Sequence, residues 1–178
     1  MKLVKNIILK LIHSYGYRLI KASTPNSIEE INKYEKELIE TCSKYSMTTS
    51  LNMWSLLQSF YYIKNNNIEG DFVECGVWKG GNLILLQKLM EKYKIKKNIF
   101  AYDTFEGMPE PTNLDFKYDG SDGRQIFKHK KNNDIKWVYS SIDEVKKNLS
   151  TNCKSKKNIK LIKGMVEKSL MKKNNIPE

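Results

Sequence analysis

The order of apolar and polar residues changes character about 70 residues into the chain. Before that point the period is helical. Apolar residues at positions 3, 4, 7, 8, 11, 12, 15, 19 and 20 alternate with lysines, which predicts an amphipathic helix over residues 1–21. "ASTPNS" punctuates. Ser27 then offers an N-cap, with Glu30 placed as in a capping box, for a helix carrying apolar or aromatic residues at 28, 31, 34, 38 and 39. "SLNMWSLLQSFYYIKNN" predicts a further helix over about 50–65. Beyond it, short apolar runs alternate with helical patterns. "DFVECGVW" reads as a buried strand, "GNLILLQKLMEKYK" as a helix and "KNIFAYDTF" as a second strand. After a loop, "EGMPEPTNLDFKYDGSDG", comes a short extended piece and a helix capped by Ser141 within "WVYSSIDEVKKNLSTN". "KNIKLIKGM" is a third strand. Strands alternating with helices imply right-handed crossovers and a parallel sheet.

The expected fold is therefore α/β: the N-terminal part of a Rossmann-like doubly wound parallel sheet, about three strands, preceded by helices. The expected divisions are a basic amphipathic helix at 1–24, a helical cover at 25–69 and the α/β part at 70–178.

Charge changes this picture little. Lys and Arg number 31 against 20 Asp and Glu, a formal +11, but the lysines lie along the whole chain among asparagines and read as solvated faces. No arginine-rich tract or RNA-recognition signature occurs, so no nucleic-acid partner is expected. Cys42, Cys75 and Cys153 are far apart and lack a CxxC spacing, which suggests thiols in a reducing, cytoplasmic compartment. His13 and His129 have no partner at ligand spacing. Lys5 and Lys10 interrupt the first apolar stretch, against a signal peptide or a spanning helix. The N-terminal helix would then pack on its own domain or a partner, or lie on a membrane surface.

The chemistry concentrates in "GDFVECGVWKGGN". An apolar strand ends in Glu74 and is followed by Gly76, Gly80 and Gly81 before a helix. Glycine admits positive φ and close ligand approach, and a helix start offers free N–H groups. Such glycines could equally serve only a tight turn. The G-x-x-x-G-G spacing puts Trp78 where a dinucleotide fingerprint needs glycine, and "KGGN" is not a Walker loop. An acid within the motif suits a ligand with a positive amino group and no pyrophosphate, such as S-adenosylmethionine. Asp103, 29 residues on at the second strand end, is placed for the two hydroxyls of a ribose.

"GDFVECGVWKGGN", "YDTFEGMPEPT" and "SSIDEVKKNL", with "YSMTTSLNMW" before them, resemble the macrocin O-methyltransferase family over roughly residues 44–178. Its members are class I, S-adenosylmethionine-dependent enzymes that methylate sugar hydroxyls. The resemblance implies that Glu74 and Gly76 border the methionine part of the cofactor and that Asp103, with Thr104, holds the ribose. It implies that Gly164 and Met165 lie near adenine, with Ser141, Ser46 and Met47 contributing from loop and helical cover. Plainer roles stand beside these: Ser141 as a helix cap, Met47 and Met165 as core, Thr104 as a turn residue.

The family's divalent metal (Mg) and its catalytic residues fall, by the resemblance, beyond residue 178, so no metal ligand is expected in this chain. Glu106, Glu110, Asp115 and Asp119 would shape an acceptor-side lid. The expected partner is a sugar or glycoside substrate, with completion by a homo-oligomer or second chain. On that reading the chain is a cofactor-binding part of such an enzyme, with the first strand as an open edge. A second reading is a non-catalytic basic module bound to a membrane or partner through residues 1–21.

Overall fold

The computed structural model describes residues 14–15, 31–117, 119–132 and 138–171, without the side chains of 129–132. The chain divides into units 1–30 and 31–178, and the sheet with its helices belongs to the second. The amphipathic pattern of residues 1–21, apart from Ser14 and Tyr15, and the Ser27–Glu30 box lie outside the described residues.

Helix α1 spans Lys33–Ser43. Its N-cap is Asn32, which has extended backbone, so the helix begins five residues after the expected Ser27 cap. Asn32 Oδ1 accepts the N–H of Glu35 at 3.0 Å, and Glu35 Oε2 accepts the N–H of Asn32 at 3.3 Å. The reciprocal bonds satisfy two end donors, the logic expected for Ser27 and Glu30 but set further along. Helix α2, Ser50–Asn65, is capped by Thr49 and buries Met53, Leu57 and Phe60 along one stripe.

Strand β1, Phe72–Cys75, leads into helix α3, Gly81–Tyr93. Leu83, Ile84, Leu85, Leu86, Leu89 and Met90 of α3 are all buried. A helix apolar over most of its circumference must be covered on several sides, and α1, α2 and the sheet cover this one. Strand β2 is Ile99–Asp103, helix α4 is Gly123–Asn132, helix α5 is Ile142–Asn152 and strand β3 is Ile159–Lys163. A final helical turn, α6, is Val166–Ser169. Helix α4 falls in a stretch with no helix expected from the apolar pattern.

The three strands pair in parallel in the order β1-β2-β3, with Glu74 opposite Ala101 and Asp103 opposite Lys163. Alternation puts Phe72, Ile99, Ala101, Ile159 and Leu161 on the face packed against the helices, where α5 adds Val145 and Leu149. On the other face Val73 and Cys75 are exposed, while Phe100 and Tyr102 are buried, with Lys160 Nζ 4.4 Å from the Phe100 ring centroid. β1 is thus an apolar edge of this three-stranded sheet. Among the described residues no helix is long and apolar enough to cross a membrane.

Candidate functional site

The loop between β1 and α3 is built from conformations few residues adopt. Gly76 and Gly80 have φ of 90° and 87°, and Trp78, which has a Cβ, is held at 48°. A side chain in that region costs roughly 1–2 kcal/mol, so the surroundings must enforce it. Contacts from β2 and α5 do so. Asp103 Oδ2 accepts the N–H groups of Val77 at 2.6 Å and Trp78 at 3.0 Å. Gly76 N–H donates to Tyr102 O at 2.8 Å. From α5, Asn148 Nδ2 donates to Lys79 O at 3.0 Å, and Lys79 Nζ lies 3.4 Å from Glu144 Oε1, whose other oxygen accepts from the buried Ser140 hydroxyl at 3.0 Å.

The glycines have different tasks. A Cβ on Gly81 would fall 2.6 Å from Ser46 Cβ and 2.7 Å from Cys42 O, so this glycine lets the end of α1 close on the start of α3. Gly81 N–H donates to Tyr45 O at 2.9 Å across that contact. Gly80 makes the left-handed N-cap turn against Val145. At Gly76 a Cβ would meet nothing within 4 Å. It alone of the three opens onto free space.

That space is a cavity of about 320 Å³ over the carboxyl ends of the strands. Its lining brings together Gly76, Asp103, Thr104, Gly164 and Met165, all singled out in the sequence, and adds Cys75. Larger hollows of about 380 and 460 Å³ lie beside α1 and at the far end of the sheet, lined mainly by lysine, glutamate and turn residues. The strand ends are where open α/β sheets bind ligands. Glu74, whose Oε2 is buried without a partner, adjoins the lining residue Cys75 in β1, which makes this cavity the stronger candidate.

Each expected residue has a definite place. Asp103 Oδ1 accepts from Phe105 N–H at 2.8 Å, so its carboxylate already receives three backbone donors. Thr104 Oγ1 donates to Gly107 O at 2.9 Å and closes the turn after β2. Gly164 follows β3 at φ 140°, its N–H bonded to Asp103 O at 2.9 Å, and Met165 is exposed rather than core. Ser141 caps α5, accepting from Glu144 N–H at 3.1 Å. Ser46 accepts from Thr48 N–H at 3.0 Å, and Met47 is 60% exposed rather than core. Ser46, Met47 and Ser141 do not line the cavity.

Glu74 adjoins Cys75 in β1 but is not itself part of the lining. Its Oε1 accepts from Asn82 Nδ2 at 2.8 Å, while its Oε2 and Asn82 Oδ1 are both buried without a hydrogen-bond partner. Burial pushes the Glu74 carboxyl up to about 7, with Asp103 adding to the rise and the Asn82 bond opposing it. Asn82 is not among the site residues expected from the sequence. Its only signal there is an amide in the first turn of the helix, ahead of the apolar run 83–86.

In the lid, Asp115 accepts from Thr112, Asp119 from Ser121, and Glu106 pairs with Lys163 at 2.7 Å. These acids shape turns. Among the described residues no group of three or more His, Cys, Asp or Glu is placed to hold a metal ion. All three cysteines are free thiols.

Comparison with known proteins bears on the family and the fold. The family model described as Macrocin-O-methyltransferase (TylF) matches residues 4–176. Demethyldecarbamoylnovobiocin O-methyltransferase of Streptomyces niveus is 37% identical over 46 residues, 25% of this chain and 18% of that protein. The 8-demethyl-8-(2,3-dimethoxy-alpha-L-rhamnosyl)-tetracenomycin-C 4'-O-methyltransferase of Streptomyces olivaceus matches to the same extent. The solved structure of the O-methyltransferase NovP superposes with a TM-score of 0.61 at 20% identity, covering 77% of this chain and 65% of that one. The likeness to NovP establishes the α/β fold. The matched stretch is about a fifth of the length of the two named relatives and about two thirds of NovP.

Proposed function

The chain belongs to the macrocin O-methyltransferase family, and from that premise we propose that the cavity over the strand ends binds S-adenosylmethionine for methyl transfer to a sugar or glycoside hydroxyl. The observation that carries this is Gly76, open onto the cavity at φ 90° in a lining that also holds Asp103. The residues present suit the cofactor. Glu74, with an unpartnered buried oxygen, supplies negative charge for the amino end. Gly76 lets the chain of the ligand pass close to backbone. Gly164 and Met165 offer a turn and an apolar contact for the base.

A carboxylate has about four acceptor positions, and backbone donors occupy three at Asp103. Asp103 therefore accepts one ribose hydroxyl rather than clamping both. Its larger part is to fix the loop on which the cofactor rests.

When bound, the cofactor supplies the methyl group as a sulfonium. The chain's own contribution is to hold and orient it and to keep the lid, residues 106–122, on the acceptor side. The relatives named for novobiocin and rhamnosyl-tetracenomycin substrates support a glycoside acceptor.

Calorimetric titration with S-adenosylhomocysteine tests the reading. Gly76→Val, whose side chain would enter the cavity, is expected to abolish binding, and Glu74→Gln to weaken it. Wild-type affinity in a folded Gly76→Val chain would move the ligand elsewhere.

A further inference from the structure

Glu74 and Asn82 share one hydrogen bond. Asn82 Nδ2 donates to Glu74 Oε1 at 2.8 Å. The atoms left over, Glu74 Oε2 and Asn82 Oδ1, are both acceptors, both buried and both without a partner. Two acceptors cannot satisfy each other, and buried polar atoms are rarely left unmatched. One proton resolves the mismatch. Placed on Oε2, it makes the carboxyl a donor to the amide oxygen and closes a cyclic acid–amide pair.

The surroundings favour that proton. Burial acts against the charged form of Glu74, and Asp103 on β2 repels it. Among the described residues no Lys or Arg of α1, α2, α3 or β2 acts on Glu74 to offset this. Lys79, nearby in the loop, is paired with Glu144. Glu74 immediately precedes Cys75 and Gly76, which line the cavity. A cation arriving there reverses the balance, because an opposite charge within about 4–6 Å favours the carboxylate.

We propose that Asn82 and Glu74 form an acid–amide pair that holds one proton in the ligand-free protein and releases it to solvent when an ammonium group enters beside Gly76. Asn82 is then a positioning residue. Burial and Asp103 keep the carboxyl neutral; Asn82 keeps it aligned until a ligand bearing an amino group arrives, and thereby helps select such ligands over those that lack one. Charge balances: the carboxylic acid becomes a carboxylate, its proton goes to the buffer, and the ligand keeps its ammonium protons. The ligand half rests on the proposed cofactor site, whereas the proton-holding half concerns the free protein alone.

The two halves are tested separately on the full chain. In the free protein, infrared difference spectra between wild type and Glu74→Gln isolate the Glu74 carboxyl. A protonated carbonyl band that persists at pH 6 and moves in Asn82→Leu is expected. A carboxyl titrating near the usual 4.3, unmoved by Asn82→Leu, overturns the pair whether or not any ligand binds.

With S-adenosylhomocysteine, calorimetry in buffers of different ionisation enthalpy counts protons. About one proton released per ligand bound at pH 6, falling toward none by pH 8, is expected. Asn82→Leu takes away the bond that opposes the rise and leaves burial and Asp103, so proton release should persist to higher pH than in wild type, and affinity should fall roughly tenfold, the scale of a lost bond to a charged group. Asn82→Gln, which keeps the amide, is the folded control and should bring both part of the way back to wild type. Tight binding with no proton release at pH 6 overturns the exchange. Absence of binding at every pH counts against the cofactor site and leaves the infrared result to decide the pair.

Discussion

Asp103, at the end of β2, accepts the backbone N–H of Val77 at 2.6 Å across the gap to the loop after β1. The same oxygen takes Trp78 N–H, and the other takes Phe105 N–H, so one carboxylate fixes two loops of which Trp78 and Phe105 have left-handed backbone. Removing it leaves part-buried donors without an acceptor. Hydrogen bonds to a charged group contribute about 1.5–3 kcal/mol each, with large overlap between neighbours. Asp103→Ala is therefore expected to lower stability in urea by roughly 2–4 kcal/mol and to lose cofactor affinity as a consequence. A folded Asp103→Ala chain of wild-type stability that still loses affinity would instead make Asp103 a ligand contact only.

The glycines give a paired prediction. Gly81→Ala puts a Cβ within 2.7 Å of Cys42 O and 2.9 Å of Tyr45 C, backbone atoms that cannot turn aside. Overpacking of this kind costs typically about 1–3 kcal/mol, so the thermal midpoint should fall. Gly120→Ala meets open space and carries only the strain of its φ of 82°, so it should cost about 1–2 kcal/mol at most. Equal loss in both variants would show that packing of α1 on α3 is not what Gly81 serves.

Thiol chemistry should separate the cysteines. Burial pushes the Cys42 and Cys153 thiols up to about 12, Lys88 opposing in both cases. Both stay protonated and poorly nucleophilic at neutral pH. Cys75 is exposed and lines the cavity. Iodoacetamide followed by peptide mass analysis should modify Cys75 first, and S-adenosylhomocysteine should slow that reaction. Labelling of Cys42 at the same rate in the native chain would contradict the burial of α1.

Much of this is legible in the sequence, and the failures have physical reasons. The three strands and α2, α3 and α5 show as runs of strong apolar period, because each buries a face on a single core. Helix α4, with Ile126 and Phe127 among polar and basic residues, carries too short an apolar pattern to register. The cap of α1, Asn32, precedes an acid three residues on just as Ser27 does, and sequence alone does not single out this second capping box. Asp103 is visible as a strand-end acid, but its partners lie 25 and 26 residues away. The unmatched oxygens of Glu74 and Asn82 exist only once α3 folds back on β1.

The pH dependence of stability is set in part by Glu74. Its carboxyl moves from an ordinary 4.5 to about 7 on folding, chiefly through burial. A raised carboxyl binds its proton more tightly in the folded state. Its contribution is therefore complete below about 4.5 and is lost as pH rises toward 7. At 1.36 kcal/mol per unit the loss is on the order of 3 kcal/mol as a ceiling. Glu74→Gln places an amide where the protonated acid stood, with a donor for Asn82 Oδ1 and no charge to desolvate. Urea unfolding at a series of pH values should show wild type losing stability between pH 4.5 and 7 relative to Glu74→Gln, with the variant the more stable at pH 8. Parallel stability curves for the two chains would mean that Glu74 carries the same charge folded and unfolded, and that its buried oxygen has a donor after all.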